Sequence, residues 1–144
     1  MRAQVRVERA DSEGNTMPTA IIVDDSAIMR VQLRRVLTAA GFTIAAEAGT
    51  ANELLALYEL HHPDLITLDI VMPGRDGATA AAELLARHPE AVVVMCTSLT
   101  SRDKILACKK AGVSYFLLKP FDPANATAIF GSVLARSRAQ LVSP

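Results

Sequence analysis

The chain has 144 residues, of which 51% are hydrophobic, and its 15 basic and 15 acidic residues leave no formal net charge. This length and composition fit one domain with a well-filled core, and the charge balance excludes bulk attraction to nucleic acid or membrane. No apolar run reaches the ~18 residues of a membrane span, and the N-terminus lacks the apolar segment of a secretory signal. We therefore expect a cytoplasmic protein in which Cys96 and Cys108 are small buried hydrophobes.

The N-terminal residues 1–17 are polar and carry no sustained pattern, which predicts a flexible tail. A regular pattern begins at Pro18 and predicts one domain over residues 18–140, with residues 141–144 as a short C-terminal tail. The composition shows no linker, repeat or low-complexity segment inside that domain.

Five short apolar runs alternate with five helix-forming segments along the domain. The first helix is read from Ile28, Val31, Val36 and Leu37 at helical spacing, between Ser26 as N-cap and a glycine at position 41. Such alternation predicts a parallel sheet that is doubly wound, with helices on both faces. The predicted strands are residues 19–23, 42–48, 64–68, 91–96 and 113–118, and the predicted helices are residues 27–40, 51–60, 77–87, 102–111 and 123–140.

Polar residues follow four of the predicted strands, at the edge where ligands of such folds bind. They are Asp24, Asp25, Asp69, Thr97 and Lys119. Three neighbouring carboxylates repel one another, and Mg²⁺ relieves that repulsion, while a lysine and a threonine suit phosphoryl oxygens. An aspartate can attack phosphorus and form an acyl phosphate, so we expect Asp69 to be the nucleophile and the other two aspartates to hold the metal.

These residues, together with Met72-Pro73 and Gly77, make the chain resemble the receiver domain of two-component response regulators over about residues 18–140. The resemblance implies a flavodoxin-like sheet of order 2-1-3-4-5. It also implies that Asp69 accepts a phosphoryl group from a histidine kinase. The implied Mg²⁺ ligands are the carboxylates of Asp25 and Asp69, the backbone carbonyl of Val71, and Asp24 through water. Thr97 and Lys119 would contact the phosphoryl group, and Thr97 and Phe116 would form the switch.

The resemblance further implies that the partners are proteins. The implied phosphoryl donor is a sensor histidine kinase or a phosphotransfer protein. The implied downstream partner is a protein target that binds the face formed by helix four, strand five and helix five. Little sequence follows the last helix, so we expect output through protein binding, and residues 92–121 look most like stand-alone chemotaxis regulators. A phosphorelay intermediate and a phosphate sink remain alternatives. The only catalysis expected is the domain's own phosphorylation and dephosphorylation, without nucleic acid or membrane.

Two positions depart from common versions of the pattern. Phe116 lacks the hydroxyl of the frequent tyrosine, and Val71, like Leu99, cannot hold a water molecule for hydrolysis of the acyl phosphate. Slow self-dephosphorylation is therefore expected.

Three other functions fit less well. A haloacid-dehalogenase-type phosphatase needs a second aspartate where Val71 stands, and a flavodoxin-like cofactor site would suffer repulsion from Asp24 and Asp25. A docking module that is never phosphorylated is disfavoured because Asp69, Thr97 and Lys119 are all present.

The fourth predicted helix carries four basic residues, Arg102, Lys104, Lys109 and Lys110. They favour a solvated face, and a docking patch for an acidic partner helix is the alternative.

Overall fold

The computed structural model describes residues 17–98 and 102–142, with the side chains of residues 137–142 left undescribed. Most of the predicted N-terminal tail therefore lies outside the described residues. The strands are β1 (Thr19–Val23), β2 (Thr43–Ala48), β3 (Leu65–Leu68), β4 (Val93–Thr97) and β5 (Tyr115–Leu118). The helices are α1 (Ala27–Ala39), α2 (Leu54–His61), α3 (Gly77–Arg87), α4 (Arg102–Ala111) and α5 (Pro123–Val142), and a 3-10 turn over Ala51–Glu53 precedes α2.

The five strands form one parallel sheet in the order β2-β1-β3-β4-β5, which confirms the predicted fold. Most element boundaries lie within two residues of the predicted ones. The exception is α2, which begins three residues later because Ala51–Glu53 form a 3-10 turn. Among the strands, β4 and β5 differ most. Each of these strands starts two residues later than predicted. Because neighbouring strands run in the same direction, all their carboxyl ends meet at one edge of the sheet.

The sheet is buried on both faces, as parallel sheets require. In β1, Ile21 and Ile22 are both fully buried but belong to different core clusters, because successive side chains of a strand point to opposite faces. One cluster lies against α2, α3 and α4 and includes Leu84, and the other lies against α1 and α5 and includes Phe130. Cys96 and Cys108 are buried, as predicted, and they form no disulfide.

One expectation about α1 is wrong in detail. Ile28 is 73% exposed and Val31 is 37% exposed, whereas Leu33, Val36 and Leu37 face the core. At 3.6 residues per turn, Val31 lies roughly 170° around the helix from the centre of the stripe that the three buried residues form. Ile28 and Val31 therefore form a separate, solvent-facing patch near the start of the helix.

The helix ends follow the local signals in the sequence. The Ser26 hydroxyl accepts a hydrogen bond from the Met29 amide at the start of α1, and Gly41 follows that helix with a φ of 100°. Asp122 accepts from the Asn125 amide at the start of α5. The predicted cap of α4, Ser101, lies outside the described residues. Among residues 17–98 and 102–142, no helix has both the length and the apolar character needed to cross a bilayer.

Candidate functional site

The carboxyl edge of the sheet brings together the predicted acidic residues. Asp24 and Asp25 follow β1 and Asp69 follows β3, and these two strands are paired at the centre of the sheet. One carboxylate oxygen from each of the three aspartates lies within 4.8 Å of the others. The sequence-based prediction of an acidic cluster at this edge is therefore confirmed.

Lys119 bridges two of these carboxylates. Its Nζ lies 2.6 Å from Oδ2 of Asp24 and 3.3 Å from Oδ2 of Asp69. The lysine side chain is only 12% exposed and that of Asp24 only 1%. Charge-assisted hydrogen bonds of this kind are strong, and a buried charge needs such a partner to offset its lost hydration.

Backbone amides occupy the other oxygen of each of these two carboxylates. Oδ1 of Asp24 accepts a hydrogen bond of 2.9 Å from the Ser26 amide, and Oδ1 of Asp69 accepts one of 3.3 Å from the Val71 amide. Both carboxylates are thus oriented by the loops that follow their own strands. Asp25 is exposed to solvent and lies at the open side of the cluster.

The electrostatics of the cluster leave Asp69 less easily ionised than a free aspartate. Burial raises its pKa, the charge of Lys119 opposes that rise, and the charge of Asp24 adds to it. Burial lowers the pKa of Lys119, but its hydrogen bond to Asp24 and the charges of both aspartates outweigh burial and raise that pKa overall. One lysine therefore does not fully compensate three carboxylates, which is the situation that a divalent cation relieves.

The spacing of the carboxylates suits Mg²⁺. An octahedral ion with ligands at about 2.1 Å places its ligand oxygens about 3 to 4 Å apart. Oxygens that all lie within 4.8 Å of one another need only small side-chain adjustments to reach that geometry. The donor set, three carboxylates open to water through Asp25, is also the hard-oxygen set that Mg²⁺ prefers.

Thr97 and Phe116 lie on two neighbouring strands beside the cluster. Thr97 ends β4, is 2% exposed, and its carbonyl accepts a hydrogen bond of 2.9 Å from the Lys119 amide. Thr97 and Phe116 line one crevice of about 220 Å³, and Nζ of Lys109 lies 6.0 Å from the centre of the Phe116 ring. Leu99, which was predicted with Val71 to slow hydrolysis of the acyl phosphate, lies outside the described residues.

Gly77 lies closer to the backbone of Asp69 than the sequence pattern indicates. A Cβ atom at this position would lie 2.0 Å from the carbonyl oxygen of Asp69, and the Gly77 amide donates a 2.8 Å hydrogen bond to the Ile70 carbonyl. The loop after β3 thus returns to its own starting point at the first residue of α3. Gly77 was part of the sequence motif, but nothing local in the sequence gives this reason for it.

Sequence reasoning missed two further residues near the site. Asp76 accepts a 2.6 Å hydrogen bond from the Ala78 amide as N-cap of α3, and it forms an ion pair with Lys104 of α4. Arg30 of α1 donates from Nη1 to the backbone carbonyl of Asp24. An aspartate just before a helix is a recognisable cap signal, whereas no local signal indicates the Arg30 contact.

The family model for the response regulator receiver domain matches residues 20–130. The chain belongs to this family. It is 34% identical over 113 residues to the chemotaxis protein CheY of Thermotoga maritima, covering 78% of this chain and 94% of the relative. It is 38% identical over 114 residues to CheY of Halobacterium salinarum, covering 79% of this chain and 94% of the relative.

Among solved structures, the domain resembles the CheX–CheY–BeF3–Mg²⁺ complex from Borrelia burgdorferi, with a TM-score of 0.76 and 32% identity. The match covers 84% of this chain and 91% of that one. Receiver domains are signalling modules of two-component systems that bind Mg²⁺ at an acidic pocket and interact with histidine kinases or phosphotransfer proteins. The family resemblance and the fold predicted from the sequence are both confirmed.

Proposed function

We propose that this receiver domain accepts a phosphoryl group on Asp69 from a histidine kinase or phosphotransfer protein, with Mg²⁺. In this proposal the phosphorylated domain signals by binding another protein. The observation that carries the proposal is the convergence of three carboxylates and one lysine at the end of β3. Phosphoryl transfer requires little beyond a positioned nucleophile and compensation of charge, and these residues supply both.

In the proposed reaction, a carboxylate oxygen of Asp69 forms a bond to phosphorus while the bond from phosphorus to the donor's imidazole nitrogen breaks. The electron pair of the broken bond stays on the imidazole. Lys119 already contacts Oδ2 of Asp69 at 3.3 Å, so its ammonium group is placed to hold an oxygen of the transferred group. The Thr97 hydroxyl, at the end of the neighbouring strand, would hold a second one. The Val71 amide keeps the Asp69 carboxylate in a fixed orientation during attack.

The metal would be held by Asp25 and Asp69 through their carboxylates, by the Val71 carbonyl, and by Asp24 through water. When bound, Mg²⁺ supplies positive charge for the developing negative charge on the phosphoryl oxygens. Asp24 has its own role besides: its 2.6 Å contact with Nζ keeps Lys119 at the site.

The proposed switch uses Thr97 and Phe116. A Thr97 side chain drawn toward the phosphoryl group would vacate space in the crevice that both residues line. This crevice of about 220 Å³ also borders Ile105 and Lys109, so it joins Phe116 to α4. Phe116 could then turn inward and change the surface of α4, β5 and α5, where Leu106 and Leu118 are exposed. A change of charge at one end of the domain would thereby alter a binding face.

The proposed pathway is chemotaxis. Its support is that several relatives with 34 to 38% identity are chemotaxis proteins, and the chain covers most of their length. Protein binding as the output is supported by the Borrelia burgdorferi neighbour, which was solved in complex with CheX.

The decisive experiment is phosphorylation by acetyl phosphate and Mg²⁺, followed by intact mass spectrometry. The wild type should gain one phosphoryl group, and Asp69→Asn should gain none because its amide cannot act as the nucleophile. Asp103→Asn is the matched control, since it removes an exposed carboxylate from α4 and should label like the wild type. Labelling of Asp69→Asn at the wild-type rate would refute the assignment.

A further inference from the structure

Arg30 connects the acidic cluster to the neighbouring edge strand. Its Nη1 donates a hydrogen bond of 2.5 Å to the backbone carbonyl of Asp24, and its Nε lies 3.7 Å from Oε1 of Glu47 in β2. Its Nη1 also lies 3.5 Å from the position that a Cβ on Gly49 would take. The guanidinium group therefore lies between the carboxyl ends of β1 and β2.

The carbonyl that Arg30 holds belongs to the peptide unit between Asp24 and Asp25. That peptide plane sets the direction in which the chain enters Asp25, whose side chain is exposed and is not held by burial. The amide of Asp24 is fixed separately by a 3.0 Å hydrogen bond to the Ala48 carbonyl. Arg30 thus acts on the one peptide unit that joins two of the three clustered carboxylates.

Two opposite effects on a bound cation follow from this position. The positive charge of Arg30 repels a cation, so its removal would strengthen binding. The hydrogen bond orients the peptide before Asp25, so its removal would weaken binding. Glu47 lies 3.7 Å from Nε of Arg30, so its negative charge offsets part of the field that Arg30 exerts on the cluster, although Glu47 is shared with Arg34 at 2.6 Å. We expect the orienting hydrogen bond to outweigh the remaining repulsion, and the titration below decides between the two effects.

We infer that Arg30 is a positioning residue for the Mg²⁺ site: through the Asp24 carbonyl it aims the carboxylate of Asp25. This inference rests on the metal site of the proposed function. Groups that orient metal ligands typically change metal affinity about 10- to 100-fold when removed. Because Arg30 acts through the backbone and only one ligand, we expect the lower end of that range.

The test is a titration of folded protein with MgCl₂, followed by amide chemical shifts in NMR spectra. Arg30→Met should bind Mg²⁺ about tenfold more weakly than the wild type. Arg34→Met is the matched control, because it removes an arginine from the same helix and from the same glutamate without touching Asp24. This control should match the wild type.

Arg30→Lys keeps the charge and a donor but loses the planar group that spans Asp24 and Glu47. It should bind Mg²⁺ more tightly than Arg30→Met and more weakly than the wild type. If the methionine variant does not fold, the lysine variant decides: weaker binding supports the inference, and wild-type affinity overturns it.

The Mg²⁺ dependence of labelling by acetyl phosphate separates a role in metal binding from a general role in stability, because a loss of stability alone would not change it. The Mg²⁺ concentration that gives half-maximal labelling should rise about tenfold in Arg30→Met, while the rate at saturating Mg²⁺ stays at the wild-type value. An unchanged Mg²⁺ dependence with a lower maximal rate would overturn the inference, as would equal or tighter Mg²⁺ binding by Arg30→Met. If the wild type itself binds no Mg²⁺, the proposed metal site fails and the inference fails with it.

Discussion

Replacing Gly77 with alanine would place a methyl group where the backbone of Asp69 and Ile70 already lies. The new Cβ would be 2.0 Å from the Asp69 carbonyl oxygen and 2.9 Å from both the Asp69 carbonyl carbon and the Ile70 Cα. Real Cβ atoms essentially never come closer than 3.0 Å to such neighbours, so the two backbone segments must separate by about 1 Å. Side-chain rearrangement cannot relieve this clash, because every one of the three atoms belongs to the main chain.

The stability cost can be bounded from these contacts. Overpacking of this kind costs about 1–3 kcal/mol, and stretching the hydrogen bond from the Gly77 amide to the Ile70 carbonyl costs about 1 kcal/mol more. Alanine's higher helix propensity offsets at most about 1 kcal/mol. We expect a net loss of about 2 kcal/mol and a Tm lower by about 8 °C.

The chemical cost should be larger than the stability cost. A nucleophile displaced by 1 Å from its productive position can react about 100-fold more slowly. We therefore expect Gly77→Ala to accept a phosphoryl group from acetyl phosphate about 100-fold more slowly than the wild type. The assay is the rate of mass gain at saturating Mg²⁺, at a temperature well below the Tm of either protein.

Gly131→Ala provides the control. Gly131 lies within α5, and apart from the backbone of its own helix and its chain neighbours, no heavy atom of the described residues lies within 4 Å of the position that its Cβ would take. This substitution should raise stability by about 0.5–1 kcal/mol and leave the labelling rate unchanged. A folded Gly77→Ala protein that labels as fast as Gly131→Ala would show that the close contact does not position Asp69.

Three further predictions concern the metal, the acyl phosphate and the helix that follows the site. Mg²⁺ at ten times its Kd should stabilise the wild type by about 1.4 kcal/mol, and a melting shift that persists in Asp25→Ala would place the metal elsewhere. Val71→Asn should shorten the lifetime of the acyl phosphate, because an amide can hold the attacking water. If the phosphorylated variant decays at the wild-type rate after acetyl phosphate is removed, this prediction is wrong. Burial raises the pKa of Asp76, but the Lys104 hydrogen bond and the Ala78 amide outweigh it and lower that pKa overall. Asp76→Ala should therefore lower the free energy of unfolding by about 1 kcal/mol at pH 7. Urea melts should show this difference from the wild type vanishing as the pH falls through the folded pKa of Asp76, which lies below its unfolded value. A difference that does not depend on pH would show that the ion pair with Lys104 is not its cause.

Much of the fold was predictable because its signals are local. Each strand is a short, mostly apolar run, and a glycine or proline follows each of the first four helices at or near the predicted residue. Parallel strands share one edge, so polar residues that follow separate strands had to meet there. Asp24, Asp69 and Lys119 are distant in sequence, yet the alternation of strands and helices places all three at that edge, and their direct contact depends further on which strands are neighbours. The order of the strands did not follow from that alternation; it came from the family resemblance.

Only the tertiary structure decided the contacts between segments whose relative placement has no local signal. It placed Ile28 and Val31 in solvent, because the buried stripe of α1 depends on how the helix rotates against the sheet. It set Gly77 against the Asp69 carbonyl, because the path of the loop between them is not encoded in a hydrophobic period. It also joined Arg30 to the Asp24 carbonyl. The sequence shows which side chains an element carries, but it does not show which backbone oxygen each side chain reaches. A hydrogen bond to a particular oxygen depends on distances of a few tenths of an ångström between packed elements.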